Sequence, residues 1–191
     1  MAGTNEELHA LLSEEERAFL KDYEETLKAI DIPSEDVLTA IKIQAMAGER
    51  GAQQDLATYY LPKVVDLARL YVGQGVMLED LIGAGNEALL SGTRLLMALE
   101  RPDEVEGDLG NRMMRAMEAL IEEDFSNKAA EAAVLEKVNR VKEKADELAE
   151  DLRRKVTPEE LAAEGELTLE EIEEAVRFSG NQIESLDIEK R

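Results

Sequence analysis

Two stretches, Tyr60-Leu-Pro-Lys-Val-Val-Asp-Leu-Ala-Arg-Leu-Tyr71 and Glu79-Asp-Leu-Ile-Gly-Ala-Gly-Asn-Glu-Ala-Leu-Leu90, flank a short glycine loop. In the first, Val64, Val65, Leu67, Ala68 and Tyr71 recur at helical spacing. In the second, Leu81, Ile82, Gly85, Leu89 and Leu90 do the same, within a helical run expected from Leu78 to Leu96. Val72-Gly73-Gln74-Gly75 reads as the loop between them. A proline inside a helix costs about 3 kcal/mol, so Pro62 is expected at the first turn of a fresh helix, dividing Ala52–Tyr60 from Pro62–Tyr71.

The same period extends outward in both directions. Ser13 and Glu16 form a capping box, followed by Phe19, Leu20, Tyr23, Leu27 and Ile30 on one face. Ile32-Pro33-Ser34 stops that helix and opens another, carried by Val37, Leu38, Ile41 and Ile43 to a break at Gly48 or Gly51. Arg101–Gly110, acidic and holding Pro102, Gly107 and Gly110, reads as an exposed loop. Asn111–Phe125 and Ala129–Lys155 read as helices, the second with a four-three seam from Val134 through Val138, Val141, Ala145 and Leu148 to Leu152. Thr157-Pro158-Glu159-Glu160 caps a short helix to Ala163. After a turn at Gly165, Thr168-Leu169-Glu170-Glu171 opens a last helix to Phe178, completing a helix-turn-helix shape. Nothing alternates with the period of a strand. The expected fold is all-α, in two units: residues 1–126 and residues 127–191.

Composition narrows the function. Hydrophobic residues at 44% suffice for a core, which must be aliphatic because aromatics are only 4%. The balance of 22 basic against 44 acidic residues, net −22, disfavours nonspecific attraction to phosphate backbones or anionic lipid. Without cysteine there is no thiol nucleophile, disulfide or thiolate metal site. Met1–Leu12 lacks a basic start and an apolar stretch, and no apolar run approaches the roughly 20 residues that span a bilayer. A soluble cytoplasmic protein with no membrane partner is expected. His9, the only histidine, has no paired base or nucleophile and reads as a surface residue. The clusters at Glu14–Glu16, Glu122–Asp124 and Glu170–Glu174 lack the spaced ligands and glycine of a calcium loop and read as solvated faces. Gly73-x-Gly75 and Gly83-x-Gly85 lack a strand–loop–helix setting, so nucleotide binding is not supported. Met113, Met114 and Met117 read as core ahead of a soft partner surface. The seam of the long helix is typical of a helix lying on a partner, inside the fold or outside it. No catalytic, cofactor or metal constellation emerges, and an enzyme is not expected.

The paired stretches with their glycine loop resemble the second conserved region of bacterial sigma-70-type sigma factors, whose "DLIQEGNIGL" helix grips the coiled coil of the polymerase's largest subunit. Ala47-Gly48-Glu49-Arg50-Gly51-Ala52 is similar to the turn of the helix pair preceding it. Val134–Asp187 resembles the third region, with Asn139-Arg140 in its long helix, "TPEELA" opening its helix-turn-helix and Glu184-Ser185-Leu186-Asp187 after it. The resemblance covers residues 40–187 in order, behind an extra acidic N-terminal helix pair. It implies a sigma-factor-like helical bundle followed by a three-helix unit, and it implies RNA polymerase core as partner. Asp80, Leu81, Ile82, Asn86 and Leu89 would be the polymerase-binding residues.

Departures from the family pattern bear on mechanism. Gly83-Ala84 stands where the family has Gln-Glu, which weakens the expected polymerase contact. The family opens promoters with aromatic and basic side chains, since unstacked bases need aromatic faces and phosphates need cations. Between Tyr71 and Phe178 the one aromatic is Phe125, and over residues 101–126 eight carboxylates stand against three arginines. Arg112 and Arg115 are the remaining candidates for phosphate contact. The last helix presents Glu170, Glu171, Glu173 and Glu174 with only Arg177 positive, the wrong chemistry for base edges. No stretch up to Arg191 reads as the family's fourth region, which contacts the −35 element. Two functions therefore stand: a sigma-70-type initiation factor with weak or absent promoter recognition, and a sigma-like competitor or decoy that binds polymerase or an anti-sigma protein without reading DNA.

Overall fold

The computed structural model describes residues 10–188, which leaves His9 and most of the Met1–Leu12 segment outside the described residues. Among those described are seven α-helices: α1 (Glu14–Leu27), α2 (Glu35–Met46), α3 (Arg50–Ala68), α4 (Leu78–Thr93), α5 (Val105–Leu152), α6 (Pro158–Ala163) and α7 (Leu169–Phe178). The fold is all-α; beyond the helices, one isolated backbone bridge, Val156 to Leu186, occurs among the described residues. The chain divides into two compact units, Met1–Phe125 and Ser126–Arg191.

In the first unit α3 and α4 form the centre, with Leu56, Val64, Leu81, Ile82 and Leu89 almost wholly buried together with Leu109, Met113 and Met117 of α5. Ser13 caps α1 as its spacing predicts: its hydroxyl accepts from the Glu16 amide at 3.1 Å, and the Glu16 carboxylate accepts from the Ser13 amide at 2.9 Å. Ser34 starts α2 without a side-chain cap bond, and the inward face of that helix is Leu38, Ile41 and Ala45. Val37 and Ile43 are exposed, a correction to the face read from their spacing.

Three further boundaries differ from expectation. Pro62 does not divide a helix: α3 runs through it from Arg50 to Ala68. Leu56 and Tyr60 before the proline, and Val64, Val65 and Ala68 after it, are buried in one core. Anchoring both sides offsets a missing N–H and the steric penalty of the ring. Residues 101–110 are not a loop either. Pro102–Glu104 forms a 3-10 turn, closed by the Glu104 carboxylate facing the Arg101 amide, and α5 starts at Val105. Val105, Leu109, Met113 and Met117, each four residues apart and each fully buried, drive that helix through Gly107 and Gly110. The expected break after Phe125 is absent too, because Ser126-Asn127-Lys128 carries neither glycine nor proline; α5 ends at Leu152, where Arg153 turns into the left-handed region (φ 56°). The α4 helix stops at Thr93 rather than Leu96, and Leu90 points outward.

The second unit has its own core, in which Val141 and Ala145 of α5 meet Leu161, Leu167, Ile172 and Ala175. The seam thus lies on the helix-turn-helix, although Leu152 is exposed. Thr157 with Glu160 and Thr168 with Glu171 make the two expected capping boxes, and Gly165 supplies the turn at φ 83°. The Ser185-Leu186-Asp187 segment closes the unit by backbone pairing: Val156 N–H donates to Ser185 O at 3.0 Å and Asp187 N–H to Val156 O at 2.8 Å.

Glu160 sits under two guanidinium nitrogens of Arg154, at 2.7 and 2.9 Å, and accepts from the Thr157 amide at 3.0 Å. The Arg154 hydrogen bonds, then the Thr157 amide, hold its carboxyl down from the usual 4.5 to about 2. A depressed carboxylate contributes stability that is complete above the ordinary value and lost as pH falls from about 4.5 towards 2. A carboxyl-carbon NMR titration is expected to place the Glu160 midpoint near 2, and Arg154→Gln should return it towards the ordinary range. A wild-type midpoint near 4.5 would show that the pair does not persist in solution.

Candidate functional site

The helix that carries the family resemblance, α4, begins after the loop whose Gly73 and Gly75 hold φ of 85° and 95°, conformations that side chains disfavour. Its N-cap, Met77, has no capping oxygen. The Glu16 carboxylate of α1 fills that role by accepting from the Leu78 amide at 2.9 Å. This bond first, and the Ser13 amide second, pull the Glu16 carboxyl below its ordinary value. Glu79 and Asp80 sit in the first turn, where carboxylates favour the helix dipole. Gly85 marks close packing on α3 and α5: a Cβ there would fall 2.6 Å from a Val64 methyl and 2.5 Å from the Met117 methyl.

This packing sorts the five residues singled out in α4. Leu81, Ile82 and Leu89 are buried at 0%, 2% and 1% exposure and face the first unit's own core. They fix the helix and offer a partner no surface. Asp80 is exposed. Asn86 is half-buried: its carboxamide nitrogen donates to the Tyr23 hydroxyl of α1 at 3.0 Å, while its carbonyl oxygen is buried without a partner among the described residues. Tyr23 is itself stacked on Phe19, ring centroids 5.7 Å apart. The outward face of α4 is therefore Asp80, Gly83, Glu87 and Leu90, with Ala84 half-covered. Two carboxylates, two small residues and a leucine can meet cationic side chains while letting a partner backbone come close. The contacts from Glu16 and Tyr23 could not be read from local sequence, since they join residues about sixty positions apart.

The DNA-facing candidates fare unequally. The Arg112 guanidinium is engaged by Asp108, at 2.6 and 3.3 Å, whereas Arg115 is exposed. On α7, Glu171 is occupied with the Thr168 amide at 2.8 Å and Glu174 lies 3.4 Å from the Lys137 ammonium, both half-buried. That leaves Glu170 and Glu173 fully outward, while Arg177 lies over the Phe178 ring at 5.2 Å. Met113 and Met117 are core, so they are not partner surface. No group of three or more potential metal ligands occurs among the described residues, and no helix there is long and apolar enough to cross a membrane.

Residues 136–190 match the family described as Sigma-70 region 3. The chain is 27% identical over 168 residues to the RNA polymerase sigma factor SigA of a Bacillus species, covering 85% of this chain and 42% of that protein. It is 26% identical to SigA of Listeria monocytogenes over the same shares, and 26% identical to SigA of Clostridium acetobutylicum over 77% and 38%. The chain spans less than half the length of these curated relatives. Residues 136–190 thus resemble sigma-70 region 3, and the chain is similar over 85% of its length to part of SigA-type sigma factors.

Proposed function

We propose that the protein is a sigma-70-type initiation factor, cytoplasmic and non-enzymatic, that binds the largest-subunit coiled coil of RNA polymerase core through the outward face of α4. The observation that carries this reading is the exposed Asp80 at the start of that face, on a helix locked in place by its buried Leu81, Ile82 and Leu89. Asn86 contributes by holding α4 to α1 through Tyr23. Asp80→Ala combined with Asn86→Ala is expected to weaken binding to purified core at least tenfold. Unchanged binding would remove this face from the contact.

A second reading is supported by the engaged Arg112 and the outward Glu170 and Glu173: a competitor that occupies core, or captures an anti-sigma protein, without reading DNA. Competition with the host's main sigma factor separates the two. Displacement together with an open complex on a native promoter marks an initiation factor, and displacement without one marks a competitor. Failure to bind core would sink both polymerase readings and leave the anti-sigma partner.

A further inference from the structure

A concavity of about 600 Å³ lies in the first unit between the start of α3 and the end of α4. Its charge is anomalous for this chain. Three other concavities of the described residues carry carboxylates, among them Glu147 and Glu164 in one, Glu159 and Glu173 in another, and Glu87 and Glu123 in a third. The 600 Å³ pocket has none, in a protein with 44 acidic residues. Its charged groups are Arg50 and Arg94, both exposed, and neither has an ion-pair or hydrogen-bond partner among the described residues. Glu49, next along the chain, has its carboxylate near Gly51 and does not line the pocket.

Apart from the exposed Gln54, the remaining walls are apolar or already satisfied. Gly48, at φ 87°, turns the chain from α2 into α3, and the Met97 sulfur lies 3.5 Å from where a Cβ on Gly48 would stand. Leu90 and Met97 keep 47% and 67% of their surface exposed beside the two arginines. Gln53 donates to the Ala45 carbonyl at 3.2 Å and Thr93 to the Leu90 carbonyl at 3.0 Å, so the floor makes no strong demand of its own. Unpaired guanidiniums next to exposed leucine and methionine, with carboxylates excluded, have the composition of a protein interface centre.

We propose that this pocket docks a short acidic peptide segment of a protein partner, its carboxylates on Arg50 and Arg94 and one apolar side chain against Leu90 and Met97. Guanidinium forks take carboxylates in two-point hydrogen bonds, which gives orientation as well as attraction. Nucleic acid fits less well. The pocket holds no aromatic face for a base, and a polyanion would meet the net −22 of the whole chain, whereas a segment with two or three carboxylates meets mainly the local cations. The proposal does not rest on polymerase binding.

The test is to pan the full chain with a random twelve-residue peptide library displayed on phage. Enriched peptides are expected to combine Asp or Glu with Leu, Ile, Met or Phe. One of them, synthesised with a fluorescein label, should lose at least tenfold in affinity on the Arg50→Gln/Arg94→Gln protein and retain it on Asp80→Ala/Asn86→Ala. Both arginines are exposed, and matching thermal unfolding midpoints would confirm that the variant is folded. Enrichment of Lys- and Arg-rich peptides, as the net charge alone dictates, overturns the proposal; so do no enrichment and unchanged affinity on the arginine variant. A labelled twenty-nucleotide single strand that binds the wild type and is lost with the two arginines would make the pocket a phosphate site and overturn it as well.

Discussion

Gly85→Val is expected to destabilise the first unit by about 2–3 kcal/mol, lowering the urea midpoint with little change in the slope of the transition. Two effects compete. Glycine within a helix is about 1 kcal/mol worse than alanine, so filling the position recovers part of that. Against this, even the first added carbon would sit 2.5 Å from the Met117 methyl and 2.6 Å from a Val64 methyl, both on fully buried side chains. Met117 can change rotamer, but the β-branched Val64 is stiff and lies inside α3, so α4 must move outward. Overpacking in a close-packed core typically costs 1–3 kcal/mol, roughly the top of that range for two further methyls, and it exceeds the propensity gain. Gly83 is the control in the same helix. Nothing lies within 4 Å of its Cβ position, so Gly83→Ala should be neutral or stabilise by up to about 1 kcal/mol. Equal behaviour at the two sites would mean that α4 does not pack on α3 and α5 as described.

Leu81→Ala is expected to cost about 2–5 kcal/mol, since the side chain is 0% exposed and its removal leaves a void among packed neighbours. The functional consequence separates this residue from Asp80. If Leu81 only positions α4, the variant should bind core polymerase normally at low temperature, once the unfolded fraction is accounted for. A loss of affinity in fully folded Leu81→Ala would put the leucine in the contact itself and revise the assignment of α4's faces.

Local chemistry was a sound guide wherever the deciding partners lie within one helical turn. The three capping boxes, Ser13 with Glu16, Thr157 with Glu160 and Thr168 with Glu171, form where side-chain spacing places them. Pro62 was misread because its local penalty is offset by burial contributed by other helices. Residues 101–110 were misread because acid, proline and glycine outweighed a quieter signal, the four-residue spacing of Val105, Leu109, Met113 and Met117. At the site, helical periodicity identified α4, yet the same periodicity makes Leu81, Ile82 and Leu89 inward residues, unavailable to a partner. The Asn86–Tyr23 bond and the pairing of Arg50 with Arg94 around one pocket depend on how helices pack, which spacing along the chain does not encode.

The outward carboxylates of α7 set a condition on any complex in which polymerase carries this protein onto DNA. A protein that neutralises phosphates displaces condensed counterions, and its affinity falls steeply as salt is added. Glu170 and Glu173 would displace none, and they would repel a duplex brought within the Debye length, about 8 Å at physiological ionic strength. Added salt shortens that range. In a complex that brought this helix against DNA, its contribution would therefore run against the usual ionic trend, growing less unfavourable as ionic strength rises.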